Sequence, residues 1–136
     1  MHGPVPHSHD YAFPRKKLLG ALRSAIASKI NDGKLTVVEN FETAEGKTKL
    51  FRTALNKLDA KKTALLVESG TTLSKNLMLG ARNLHGVELM LSNEVHPYHL
   101  LKHQRAIISV TAMEQLQEAL KKTVSKRKLA AAAEVA

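Results

Sequence analysis

Four short apolar runs, each set off from the next by a stretch of helical period, constrain this chain more than any other feature. The runs are Leu35-Thr36-Val37-Val38, residues 64–67 (Ala-Leu-Leu-Val), Val87–Leu91 and residues 106–110 (Ala-Ile-Ile-Ser-Val). They are rich in branched side chains and do not alternate apolar with polar, the pattern of strands buried on both faces of a parallel sheet. After Pro14, a residue suited to opening a helix, Leu18, Leu22, Ala25, Ile26 and Ile30 recur every three to four positions until Asn31-Asp32-Gly33 stops them. From Lys47 the period predicts Leu50, Phe51, Ala54, Leu55 and Leu58 inward, with Lys47, Lys49, Arg52 and Lys57 outward. Ser74 reads as the N-cap of a helix through Leu77, Met78 and Ala81 that ends near Asn83, a candidate left-handed helix end. Pro97 opens one turn through Leu100 and Leu101. Thr111 and Glu114 have capping-box spacing ahead of Met113, Leu116, Leu120 and Val124. Strand and helix alternating in this way predict an α/β fold. It has a mostly parallel sheet of about four strands with helices on both faces, a Rossmann-like three-layer architecture.

A chain of 136 residues accommodates one such domain. We place it at residues 14–124. A Pro- and His-rich extended arm, residues 1–13, precedes it, and a Lys/Arg then Ala-rich tail, residues 125–136, follows. No run approaches the length of a membrane span, and the N-terminus has no secretory apolar segment. There is no cysteine, which excludes disulfides, thiolate catalysis and cysteine-ligated metals. Both points fit a reducing, cytoplasmic setting with no membrane partner.

The formal charge of +9 is unevenly spread. Residues 1–62 hold 12 basic and 6 acidic side chains, residues 63–120 hold 4 and 5, and residues 121–136 hold 5 and 1. A near-neutral middle between basic ends suits a core whose periphery meets a polyanion. Lys57, Lys61 and Lys62 read as a solvated helix surface. Arg15, Lys16, Lys17 and Arg23 differ, because they adjoin a Pro-rich arm that cannot fold on itself and would order against an anionic partner. The few aromatics, Tyr11, Phe13, Phe41, Phe51 and Tyr98, do not form a base-stacking platform, so binding would rest on phosphate contacts and shape. With about six cations on phosphate, log K would fall against log salt with a slope on the order of −4 to −5.

Catalysis has no visible carrier. The turn Ser69, Gly70, Thr71 and Thr72 between a strand and a helix offers a second reading, a small α/β domain that holds a phosphorylated ligand on backbone N–H groups; the same residues also make an ordinary tight turn. No serine stands in a nucleophile-elbow context. Of seven histidines, His99 and His103 share the i, i+4 spacing of a metal pair, yet no carboxylate follows at the spacing that completes a zinc site, so neither metal nor cofactor is expected.

An ordered set of short motifs carries a resemblance. His2-Gly3-Pro4 with Tyr11 comes first, then Pro14-Arg15-Lys16-Lys17 leading to Ala21-Leu22-Arg23-Ser24-Ala25. Leu35-Thr36-Val37-Val38, Lys47-Thr48-Lys49 and Ala81-Arg82-Asn83-Leu84-His85 before a strand follow in order. Together they resemble the bacterial large-subunit ribosomal protein L4 family from residue 2 to about residue 124. The resemblance implies a structural, non-enzymatic protein that binds large-subunit ribosomal RNA, neighbours other ribosomal proteins, supports subunit assembly and, in some members, binds the messenger RNA of its own operon as a repressor. It implies RNA contacts at His2, Gly3, Pro4, Arg15, Lys16, Lys17 and Arg23, and at Arg82 and Asn83, which alternatively serve the fold. It also places the family's first strand, first helix and tunnel-reaching loop before residue 1, so no tunnel-lining role is carried over. A sheet lacking a neighbour on one edge would expose unpaired backbone groups, and marginal stability or self-association is the expected result.

Overall fold

The computed structural model describes residues 2–41, 46–60, 62–70 and 73–121. Residues 2–13 contain neither helix nor strand and are exposed. Helix α1 follows at Arg15–Asn31 with Pro14 as its N-cap residue, then strand β1 at Leu35–Val38 and helix α2 at Thr48–Lys57. Strand β2 (Ala64–Glu68), helix α3 (Lys75–Arg82) and strand β3 (Val87–Leu91) come next. A single 3-10 turn at Ser92–Glu94 and helix α4 (Pro97–Lys102) lead to strand β4 (Arg105–Ser109) and helix α5 (Val110–Lys121).

The sheet has the order β1-β4-β2-β3, and every pairing is parallel. Alternating side chains split the core into two layers, because successive residues of a strand point to opposite faces. Leu65, Val67, Ala106 and Ile108 meet Leu22 and Ala25 of α1, Leu100 of α4, and Ala112 and Leu116 of α5. Ala64, Leu66 and Ile107 meet Phe51 and Leu55 of α2 and Leu77 and Ala81 of α3. The architecture is thus the three-layer α/β sandwich, with α1, α4 and α5 on one face and α2 and α3 on the other.

Several local expectations change. The two central strands, β2 and β4, are buried on both faces, whereas β1 is an outer strand that among the described residues pairs only with β4, and Val37 is 48% exposed. An apolar run marks membership of the sheet without saying whether the strand has two neighbours. In α2 the inward stripe is Phe51 and Leu55; Leu50 (56% exposed) and Ala54 lie about 100° further round the helix and face outward. Ile30 and Met78 are exposed as well. Strand β4 starts and ends one residue earlier than its apolar run suggests, which moves the helix start with it. Ser109 Oγ accepts the Ala112 backbone N–H at 3.2 Å, while Thr111, inside α5, contacts Ser69 Oγ at 2.7 Å. The expected Thr111–Glu114 capping box is therefore replaced by a cap from Ser109. Ser74 occupies the N-cap position of α3 without a side-chain cap bond. Asn83 is right-handed (φ −88°), and the left-handed turn sits at Gly86 (φ +80°), where a Cβ would stand 2.9 Å from the Lys62 carbonyl oxygen. Val124 and the tail lie outside the described residues.

Candidate nucleic-acid interface

The structure separates the cations into those that the fold uses and those that it leaves to solvent. Arg23, half-buried on α1, donates to the Leu120 carbonyl at 2.6 Å, and Lys29, two turns on, donates to the carbonyls of His103 and Gln104 at 2.7 and 2.9 Å. Lys29 thereby satisfies carbonyls just past the end of helix α4, where no intrahelical donor remains, and Arg23 ties α1 to the last described turn of α5. Burial pushes the Lys29 ammonium below its usual pKa, with the charge of Lys34 acting in the same direction. Arg105 bridges Asp59 (3.2 Å) and Thr36 (3.3 Å), and Lys34 pairs with Asp32 at 3.0 Å.

Glu88, the one charged residue of β3, gathers α4 onto the sheet. Its Oε2 accepts from Lys102 Nζ at 2.8 Å and lies 2.7 Å from His103 Nε2, and its Oε1 is 3.2 Å from His99 Nδ1, a contact too poorly aligned for a hydrogen bond. Hydrogen bonds from Lys102 and then His103 hold the Glu88 carboxyl down at about 2. An ionised carboxylate only accepts, so His103 Nε2 carries the proton. The His99 and His103 pair therefore does meet a carboxylate, which sequence spacing could not show because it comes from another element. Its role here is an ion-pair latch. Among the described residues no group of three or more His, Cys, Asp or Glu is placed to hold a metal ion.

Arg15, Lys16 and Lys17 belong to the second class. They occupy the first turn of α1, all exposed, with no acidic residue in that turn and no side-chain cap at Pro14. Among the described residues they have no salt bridge, and each is directly continuous with the exposed arm that carries His2, Gly3 and Pro4. Arg82 and Asn83 are also exposed, but they stand at the end of α3 on the opposite face of the sheet. Of the nine candidate RNA-contact positions, the structure thus groups His2, Gly3 and Pro4 with Arg15, Lys16 and Lys17 along one continuous segment. It turns Arg23 toward α5 and sets Arg82 and Asn83 apart.

The turn after β2 is less suited to an anion than its composition suggests. The Ser69 hydroxyl is engaged by Thr111, and Glu68 stands next to it, its carboxyl pushed up by burial against the pull of the Ser74 backbone N–H. One Glu68 oxygen is buried without a partner. A carboxyl group beside the turn opposes a phosphate. Thr71 and Thr72 lie outside the described residues.

Comparison with known proteins converges on one family. The model of the ribosomal protein L4/L1 family matches residues 1–119. The chain is 65% identical over 130 residues to the large ribosomal subunit protein uL4 of Acidobacterium capsulatum, covering 96% of this chain and 59% of that protein. It is 61% identical over 127 residues to the protein of the same name from Koribacter versatilis (93% of this chain, 58% of that one). It is 48% identical over 122 residues to that of Solibacter usitatus (90% and 58%). The chain thus spans less than three-fifths of the length of these curated relatives.

Proposed function

This chain belongs to the ribosomal protein L4/L1 family, and from that membership we propose that it binds large-subunit ribosomal RNA as a structural component of the subunit and supports assembly, without catalysing a reaction. The observation that carries the reading is the cluster Arg15, Lys16 and Lys17, three exposed cations that no carboxylate of the described residues neutralises, continuous with the exposed arm. Helix starts favour acidic side chains, since the macrodipole places positive potential there. Three consecutive cations at that point raise the local potential further, and the phosphate backbone of folded RNA relieves it. His2, Gly3 and Pro4 extend the contact along the strand. Arg23 supports it indirectly, by fixing α1 to the end of α5. Neighbouring ribosomal proteins are the further partners that this setting supplies, and messenger RNA of the same operon would use the same cations.

The test is a titration of full-length large-subunit ribosomal RNA with the protein at several salt concentrations, alone and as the Arg15→Glu, Lys16→Glu, Lys17→Glu triple variant. Loss of three phosphate contacts lowers the slope of log K against log salt by about 2 to 3, with an affinity loss that grows as salt falls. Unchanged affinity and slope would remove the arm and α1 from the interface.

A further inference from the structure

The sheet has two outer edges, β1 and β3, and among the described residues only β3 is blocked by its own chain. In parallel strands the N–H and C=O of one residue point to the same side, and those of the next residue point to the other. The Ala64 N–H bond to the Gly86 carbonyl fixes this alternation in β3, so Val87, Leu89 and Leu91 turn their backbone groups outward. The Val87 N–H is taken by the Leu84 carbonyl at 3.3 Å and the Leu91 N–H by the Glu94 carboxylate at 3.3 Å. Both ends of that edge are therefore closed to a further strand.

β1 is built otherwise. The Ala106 N–H donates to the Lys34 carbonyl at 2.9 Å, so Lys34, Thr36 and Val38 face β4 while the backbone groups of Leu35 and Val37 face away. Among the described residues these outward groups meet no partner. Leu35 packs on the layer of α1, α4 and α5, and Val37, two residues on, shares its face and is half exposed. The strand carries neither Pro nor a charged side chain, the devices by which outer strands deter a newcomer.

Two copies of one edge related by a two-fold axis run antiparallel. Residues directly opposite in such a pair point their backbone groups either both at the partner strand or both away from it. The register that satisfies every outward group within β1 sets Leu35 against Val37 of the second copy, Val37 against Leu35, and Thr36 on the axis. Each Leu–Val pair then exchanges both N–H···O bonds and buries apolar surface across the strands. The same register brings the Lys34 end of each strand to the Glu39 end of the other, and Glu39 is exposed with no salt bridge among the described residues. We infer that β1 is a self-association surface: two copies pair their β1 edges antiparallel about Thr36 and join their sheets into one. A second copy is the occupant because the edge complements itself in hydrogen bonding, in its Leu35 and Val37 contacts and in the charge of its ends. The two-fold consumes the open edge of each copy, so association stops at the dimer. One short strand buries far less than the roughly 1,000 Å² of a stable interface, so the dimer is weak.

Sedimentation equilibrium of the ribonuclease-treated full chain, from micromolar to near-millimolar concentration, tests this. A single monomer–dimer equilibrium is expected, shifting toward dimer as salt rises, because screening relieves the repulsion between two chains of charge +9. The sequence has no cysteine, so Thr36→Cys introduces a sole thiol. On the axis the two thiols stand in a non-hydrogen-bonded pair with Cα atoms about 4.5 Å apart, within disulfide range, and oxidation should yield a covalent dimer. Val37→Cys, whose counterpart lies beyond that range, should crosslink at least about tenfold more slowly. Val37→Lys puts a charge on the edge and should raise the dissociation constant about tenfold or more. A monomer throughout the range, the result expected if the edge serves a strand of a different protein, would overturn the inference. So would dimerisation indifferent to Val37→Lys, Val37→Cys crosslinking as fast as Thr36→Cys, or association seen only before ribonuclease treatment, where RNA is the bridge. Circular dichroism of each variant separates lost pairing from lost fold, and Val37→Lys, at an exposed position, tests the surface without touching the Arg105 bond to Thr36.

Discussion

The amino edge of the sheet and the outer surface of α2 and α3 are both rich in Lys and Arg, yet they use them in opposite ways. At the amino edge, Lys29 caps the end of α4, Lys34 pairs with Asp32, Lys102 with Glu88 and Arg105 with Asp59. On α2 and α3, Lys49, Arg52, Lys75 and Arg82 have no such partner among the described residues. A count of positive charge treats these regions alike. The partners divide them: paired cations hold elements of the fold together, and unpaired ones concentrate potential for something outside it.

The comparison breaks first at Glu88. Glu88→Ala should strand the buried His103 N–H and release Lys102, costing about 1–3 kcal/mol in urea unfolding; a loss near zero would mean that the amino-edge pairs are as dispensable as surface charges. Lys29→Met keeps the apolar stem and removes the donor to two carbonyls, and the expected loss is about 0.5–1.5 kcal/mol by the same measurement. The pH dependence sharpens the point. Because the folded carboxyl of Glu88 titrates at about 2 against a usual 4.5, its contribution is fully present above about pH 4.5 and is lost as pH falls through about 2. Thermal melts should therefore show wild type losing more stability than Glu88→Gln over that window, and parallel curves would dismiss the latch. The smallest effect belongs to the other region: Arg52→Glu and Lys75→Glu should each change stability by no more than about 0.5 kcal/mol. A larger drop would show that these cations have a task inside the fold.

Periodicity alone made the layer order legible. The helical stripe of α1 and the apolar runs of β2 and β4 identified nearly half of the buried apolar residues, because burial and period arise from the same geometry. Edge strands were harder to recognise. Leu35-Thr36-Val37-Val38 looks as apolar as a central strand, and only the insertion of β4, 71 residues downstream, between it and β2 leaves β1 an outer one. The Glu88 latch was invisible for a similar reason: its members come from β3 and α4, and a lone acid in an apolar strand does not announce its partner. At the candidate interface, Arg15, Lys16 and Lys17 stood out as a contiguous run beside an unfolded arm. Arg23 looked equivalent to them by composition. Its hydrogen bond to Leu120, 97 residues away, is what separates it, and no local pattern encodes a contact of that range.

The strand order has a bearing on when this protein becomes a protein. β1 and β2 do not pair with each other, and both find a neighbour in β4, the last of the described strands in chain order. Until residues 105–109 emerge, β1 lacks the partner it has among the described residues, so the described sheet assembles late and through contacts between distant positions, the slow class of folding. The arm and the first turn of α1 emerge nearly a hundred residues earlier, with their charges already in place, so a nascent chain could meet nucleic acid before its own interior has closed.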